Sequence, residues 1–202
     1  AAISAGFGAP LAGLIYAREV VLRHQSLASF SPILLSSIIS YFFTVEIFDY
    51  EPTFDIPLVT GSNALNIIVI IISGILAGLF ASLYSYLLTS SKLKFLDNIS
   101  SKSYLCPAYA GLICGLVAIK FPEVTGIGSE TINNLLNNRV SLYLATVFLF
   151  LKLLLTIICI RMGLVGGIFG PALFLGASLG VVSSGLSTLI LNDVNPFLII
   201  LS

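Results

Sequence analysis

Long apolar runs broken by short polar or glycine-rich stretches set the layout of this chain. The runs cover about 11–22, 31–48, 63–88, 104–119, 141–160 and 169–191. Most are apolar on every face, the mark of helices buried in protein or lipid rather than surface helices. Runs near 20 residues match a membrane crossing, whereas 11–22 is too short to span alone. Start and stop residues sharpen the boundaries. Pro10 and Pro107 fall in first helical turns, where a missing N–H costs nothing. Ser29, Ser31 and Pro32 predict the start of the second long helix, and Ser129 a cap for an amphipathic helix through Asn138. The run from Asn63 to Leu88 is long enough to span with tilt, and its helix is expected to be able to continue to Leu96. Pro196 begins one more helix. Ala1–Ala9 reads as the end of a tightly packed helix.

Composition turns this pattern into a class. The 202 residues are 57% hydrophobic and 9% charged, with mean hydropathy +1.09; a soluble domain carries roughly a quarter charged residues. An all-α integral membrane protein is expected, multi-pass, with the lipid bilayer as its surroundings. Basic and acidic residues balance at nine each, so no net charge points to nucleic acid. Cys106, Cys114 and Cys159 sit in apolar runs without zinc-ligand spacing and read as small buried hydrophobes. The chain starts mid-pattern at Ala1 and stops in an apolar run at Ser202, so residues 1–202 are expected to be part of one transmembrane domain truncated at both ends. Charge also orients the helices. Arg18 to His24 and Lys92 to Lys102 are basic, and Glu46 to Asp55 is acidic, which places the first two in the cytoplasm and the third outside. Gly74/Gly78 and Gly111/Gly115 are small-residue pairs that let helices approach closely.

The candidate chemistry lies at Gly166-Gly167-Ile168-Phe169-Gly170-Pro171. Glycines permit a break between two apolar helices, and Pro171 suits the first turn of the second. The first amides of a helix lack internal acceptors and carry the positive end of its dipole. In a membrane such donors must be buried in protein or line a polar cavity, and a cavity of that kind is an anion site. An ordinary Gly-Pro turn is the plainer alternative; the flanking Leu164, Val165, Ala172 and Leu173 argue for burial instead. Two other features have structural explanations. Gly176-Ala177-Ser178-Leu179-Gly180 matches the GxSxG of hydrolases but lies inside a helical run, and its glycines suit a packing face. Lys152 sits mid-helix, where a cation is costly without a partner, and no intramembrane carboxylate is evident.

The break resembles the GxFxP signature of the CLC family of chloride channels and chloride/proton antiporters. Ala5 to Gly13 with Glu19-Val20, and Pro122 to Gly128, are similar to two further family segments, in family order. The resemblance implies an inverted-repeat bundle of tilted, broken helices and a homodimer with one anion pathway per subunit, the interface built partly from 10–22 and 30–48. It implies that chloride, as substrate and not cofactor, meets the amides of Ile168, Phe169 and Gly170, shaped by Gly166, Gly167 and Pro171. It also implies that a serine and a gating glutamate lie before Ala1 and a coordinating tyrosine after Ser202. Proton-coupled members often carry a glutamate at the position of Val20, which cannot titrate; Glu19 is expected to pair with Arg23 on a helix surface. The expectation is passive or weakly coupled chloride permeation, without enzyme activity or metal, in a bacterial inner (plasma) membrane. Strictly coupled antiport, an intramembrane serine hydrolase and a non-transporting assembly subunit remain the alternatives.

Overall fold

The structure is a computed structural model that describes residues 1–23, 27–49, 54, 64–89, 105–190 and 196–200. Among the described residues the fold is entirely helical, without a strand. The chain packs as two units, Ala1–Asp55 and Ile56–Ser202.

In the first unit, α1 (Ala2–Phe7) ends where Gly8 takes the left-handed conformation at φ 63°. The chain then re-enters helix at Pro10, giving α2 (Pro10–Tyr16), which widens into a π-helix over Ala17–Leu22. α3 (Leu27–Phe42) likewise ends as a π-helix, Phe43–Ile47. Hydroxyls stitch the three together. Ser4 Oγ donates to Ser37 O at 2.5 Å, and Ser37 Oγ to Pro10 O at 2.6 Å. Both serines are fully buried, so each hydroxyl needs such an acceptor. Gly13 makes the approach possible, since a Cβ there would lie 2.9 Å from Ser37 Oγ and 3.2 Å from Ser4 N.

The second unit holds α4 (Ala64–Thr89), α5 (Cys106–Lys120), a 3₁₀ turn (Pro122–Val124), α6 (Ser129–Leu136), α7 (Leu142–Arg161), α8 (Phe169–Ile190) and α9 (Pro196–Ile200). α7 and α8 form its centre. Leu149, Leu153, Ile157 and Leu175 make one cluster, and Phe80, Tyr84, Leu87 and Leu88 of α4 pack on it. Arg161 donates to Leu87 O at 3.1 Å, so the C-terminal ends of α4 and α7 meet. Four stretches are long and apolar enough to cross a membrane: Ser29–Ile47, Asn66–Thr89, Leu142–Arg161 and Phe169–Thr188. These helices make the chain part of an integral membrane protein. The first two leave almost all of their length uncovered, at 6% and 11% buried, against 44% and 33% for the last two.

Several expectations change here. α3 starts at Leu27 and holds Pro32 inside it; only one backbone bond near its N-terminal end is lost, a cost the long apolar helix tolerates. Ser129 is the first residue of α6, not its cap. Gly128 occupies the cap position at φ 71°, which a serine would strain to adopt. The Glu19–Arg23 pair does not form among the described residues, because Arg23 leaves the helix in a left-handed conformation at φ 53°. Neither Gly74 and Gly78 nor Gly111 and Gly115 meets any atom within 4 Å of an added Cβ, so neither pair seats a neighbouring helix among the described residues. His24, the Lys92 to Lys102 loop, the acidic positions Glu51 and Asp55, and the extension of α4 to Leu96 lie outside the described residues.

Candidate functional site

α7 begins cleanly because Ser141 Oγ accepts from Leu144 N at 3.4 Å, satisfying one of the orphan donors of that end. It ends with Met162 and a reversal at Gly163, φ 84°. The backbone then runs without regular structure to Gly167 and enters α8 at Phe169. The bonds that bracket this break are Gly163 N to Ile160 O, Leu164 N to Cys159 O and Ala172 N to Ile168 O. Between them, the amides of Gly166, Gly167, Ile168 and Gly170 meet no acceptor among the described residues. This is the local arrangement the glycine-proline pattern predicts, a helix start with donors left over. The break is not enclosed by the described residues, however. Ile168 is 51% exposed and Val165 fully so. The burial inferred from the flanking apolar residues is therefore not provided by the described residues.

Beside the break is a cavity of about 200 Å³, lined by Gly166, Gly167 and Pro171 on one side and Thr125, Lys152 and Thr156 on another. Lys152 is 4% exposed. Its Nζ donates to Val124 O at 2.7 Å and to Gly126 O at 2.6 Å, and lies 4.9 Å from the ring centre of Phe174. Two carbonyl dipoles and a π face thus replace the carboxylate that the sequence lacks. The carbonyls converge because Gly126 (φ 61°) and Gly128 (φ 71°) bend the turn. That turn lies against the start of α8. A Cβ at Gly128 would stand 2.9 Å from Phe174 Cδ2, and one at Gly170 3.5 Å from Ile127 Cγ2. Phe148 backs Phe174 at 6.5 Å between ring centres, and Phe121 meets Phe148 edge-on at 6.3 Å. Lys152 therefore ties a turn to α7 while the turn props the first residues of α8.

The sequence singled out Ile168, Phe169, Gly170, Gly166, Gly167 and Pro171, and the structure puts all six at the break. It missed the grip of Lys152 on the turn, because a carbonyl partner leaves no mark in a sequence. Val20 is remote from the break along the chain, within the π-helical part of the first unit. Cys114 and Cys159 come together, with their Sγ atoms 3.0 Å apart on the cavity wall. Cys106 alone of the three cysteines is fully buried. Ser178 is buried within α8, where its Oγ donates to Phe174 O at 2.9 Å. It is on a continuous helix rather than at a strand-to-helix elbow. Gly180 is a packing glycine, since a Cβ there would lie 2.7 Å from Ile200 O, whereas Gly176 faces open space.

With this geometry in hand, comparison with known proteins gives a consistent result. The family model described as "Voltage gated chloride channel" matches residues 1–201. Chloride channel protein CLC-f of Arabidopsis thaliana is 29% identical over 207 residues, covering 96% of this chain and 26% of that protein. A putative chloride channel protein, ClcB-like, of Ralstonia nicotianae is 28% identical over 90% of this chain and 42% of its own length. The voltage-gated ClC-type chloride channel ClcB of Salmonella typhimurium is 28% identical over 90% and 43%. The chain thus spans less than half the length of these relatives.

Proposed function

The chain belongs to the voltage-gated chloride channel family, and from that premise we propose that it forms part of a chloride-permeation pathway. The protein conducts passively or with weak proton coupling, and chloride passes the backbone amides at the start of α8. Ile168, Phe169 and Gly170 offer the backbone donors, and Gly166, Gly167 and Pro171 shape the break. The observation that carries this reading is the helix start itself. Amides without acceptors, a dipole end and an adjoining cavity occur at the segment that matches the family signature. Residues 1–202 are part of a single transmembrane domain of a longer, homodimeric protein of the bacterial inner membrane. The apolar outer faces of α2 and α3, with Leu11, Ile15, Leu35 and Ile39 exposed in the single chain, suit burial against a second copy.

Chloride efflux from liposomes carrying the full-length protein tests the proposal. Efflux that scales with protein and is slowed by Gly170→Val or Pro171→Leu is the expected result. Unchanged efflux in both variants would remove α8 from the pathway. Strictly coupled chloride/proton antiport is the second reading, and proton flux at a fixed ratio to chloride would establish it.

A further inference from the structure

The anion reading makes no use of the two thiols on the cavity wall. Cys114 lies on α5 and Cys159 on α7, 45 residues apart in the chain, and their sulfurs approach to 3.0 Å. A disulfide bond is ~2.05 Å long, so about 1 Å of closure separates the pair from a covalent link. Both are half-buried rather than sealed, and both line a cavity of about 200 Å³ that also presents Thr125, Thr156 and the Lys152 ammonium. A space of that size holds several water molecules, so an oxidant as small as hydrogen peroxide can enter it. Cys106, on the same helix as Cys114, is 1% exposed and packs with Ala110 and Met162 in a separate cluster. One pair of thiols is thus both juxtaposed and reachable, and the third is neither.

We infer that Cys114 and Cys159 form an oxidisable dithiol that hydrogen peroxide converts to a disulfide, stapling α5 to α7 beside the Lys152-held turn. In the first step one sulfur attacks peroxide and the O–O bond breaks. The thiol proton leaves with the departing hydroxide as water, and the sulfur is left as a sulfenic acid. In the second step the other sulfur attacks it, the S–S bond forms and the S–O bond breaks. The released hydroxide takes the second thiol proton as another water. Two thiols and one peroxide give one disulfide and two waters, with the cysteines oxidised by two electrons. The reaction stands independently of the chloride proposal, since it needs only the packing of α5 on α7.

Mass spectrometry of peptides from the purified full-length protein tests it. After treatment with hydrogen peroxide, the peptides holding Cys114 and Cys159 should be joined with the loss of two hydrogens and separate again on reduction, while Cys106 stays reduced. In Cys159→Ala, Cys114 should stop at the sulfenic acid and be captured by dimedone. The inference is overturned if both thiols stay reduced at peroxide concentrations that oxidise them in unfolded protein. It is equally overturned if either joins a different cysteine in preference to its neighbour.

Discussion

Two helix starts in this chain are built from the same residue types and end up with different surroundings. α2 follows Gly6-Phe7-Gly8-Ala9 and opens at Pro10; α8 follows Gly166-Gly167 and opens around Gly170-Pro171. At α2 the turn is packed over by side chains, although the amides of Leu11 and Ala12 meet no backbone acceptor among the described residues either. Gly8 caps α1, Ser37 Oγ bonds Pro10 O, and Gly13 lets Ser4 and Ser37 pack against the helix. At α8 the leftover donors of Ile168 and Gly170 have a cavity alongside instead. A glycine-proline helix start is thus a permissive element. Whether it becomes a packing joint or a ligand site depends on whether hydroxyls and side chains from elsewhere fill the space it leaves.

The largest break in this contrast should come from Lys152. Lys152→Met keeps the bulk of the side chain but strands Val124 O and Gly126 O, which now accept from the ammonium. Each hydrogen bond to a charged group is worth ~1.5–3 kcal/mol, so a loss of about 3 kcal/mol is expected overall. The thermal midpoint of the detergent-solubilised full-length protein should fall, and chloride flux should fall with it as the turn under α8 loosens. Lys152→Arg should recover part of both. A variant as stable and as active as wild type would mean that the turn is held by its glycines alone.

The closed start should respond to added volume and the open one to altered shape. Gly13→Val forces atoms against Ser4 N, which is backbone, and against Ser37 Oγ, which can turn away only by giving up its bond to Pro10 O. Overpacking of this kind costs ~1–3 kcal/mol. A lowered thermal midpoint with unaltered anion selectivity is the expected result. Gly170→Val meets only ordinary contact with Ile127, 3.5 Å from its Cβ. Its effect should be kinetic: about tenfold slower chloride efflux, equivalent to ~1.4 kcal/mol on the barrier, with little change in midpoint. Ile168→Val should do less still, since a backbone donor does not depend on the side chain that follows it. If Gly13→Val and Gly170→Val gave the same profile, the distinction between the two starts would be lost.

The open start was legible in the sequence because its signals are local. Glycine, proline and the apolar runs on either side mark where α7 stops and α8 begins, and Ser141 marks where α7 starts. The features that were not legible depend on distant partners. Lys152 finds two carbonyls 26 and 28 residues away, and Cys114 finds Cys159 at 45. The π-helical ends at Ala17–Leu22 and Phe43–Ile47 have no residue signature, since apolar sequences suit α and π spacing alike. The small-residue pairs mislead for a related reason. Gly74/Gly78 gives the same pattern whether or not a helix comes to sit on it, and none does here among the described residues.

The smallest effect expected is a null one, and it concerns protons rather than anions. Val20 occupies the position where the family resemblance puts a titratable relay in coupled members, and it is 49% exposed on the π-helical end of α2. Its side chain holds no proton. The neighbouring Glu19 is the only carboxylate in that segment, and it makes no ion pair with Arg23 among the described residues, so it is a rival relay in its own right. Reversal potentials of the reconstituted full-length protein under a pH gradient separate the cases. A value that stays at the chloride equilibrium potential, in wild type and in Glu19→Gln alike, is expected of passive conduction. A shift that Glu19→Gln abolishes would make Glu19 the relay and the protein an antiporter. A shift that survives Glu19→Gln would mean that protons reach the pathway without any carboxylate on this helix, and that the residue at position 20 does not govern coupling.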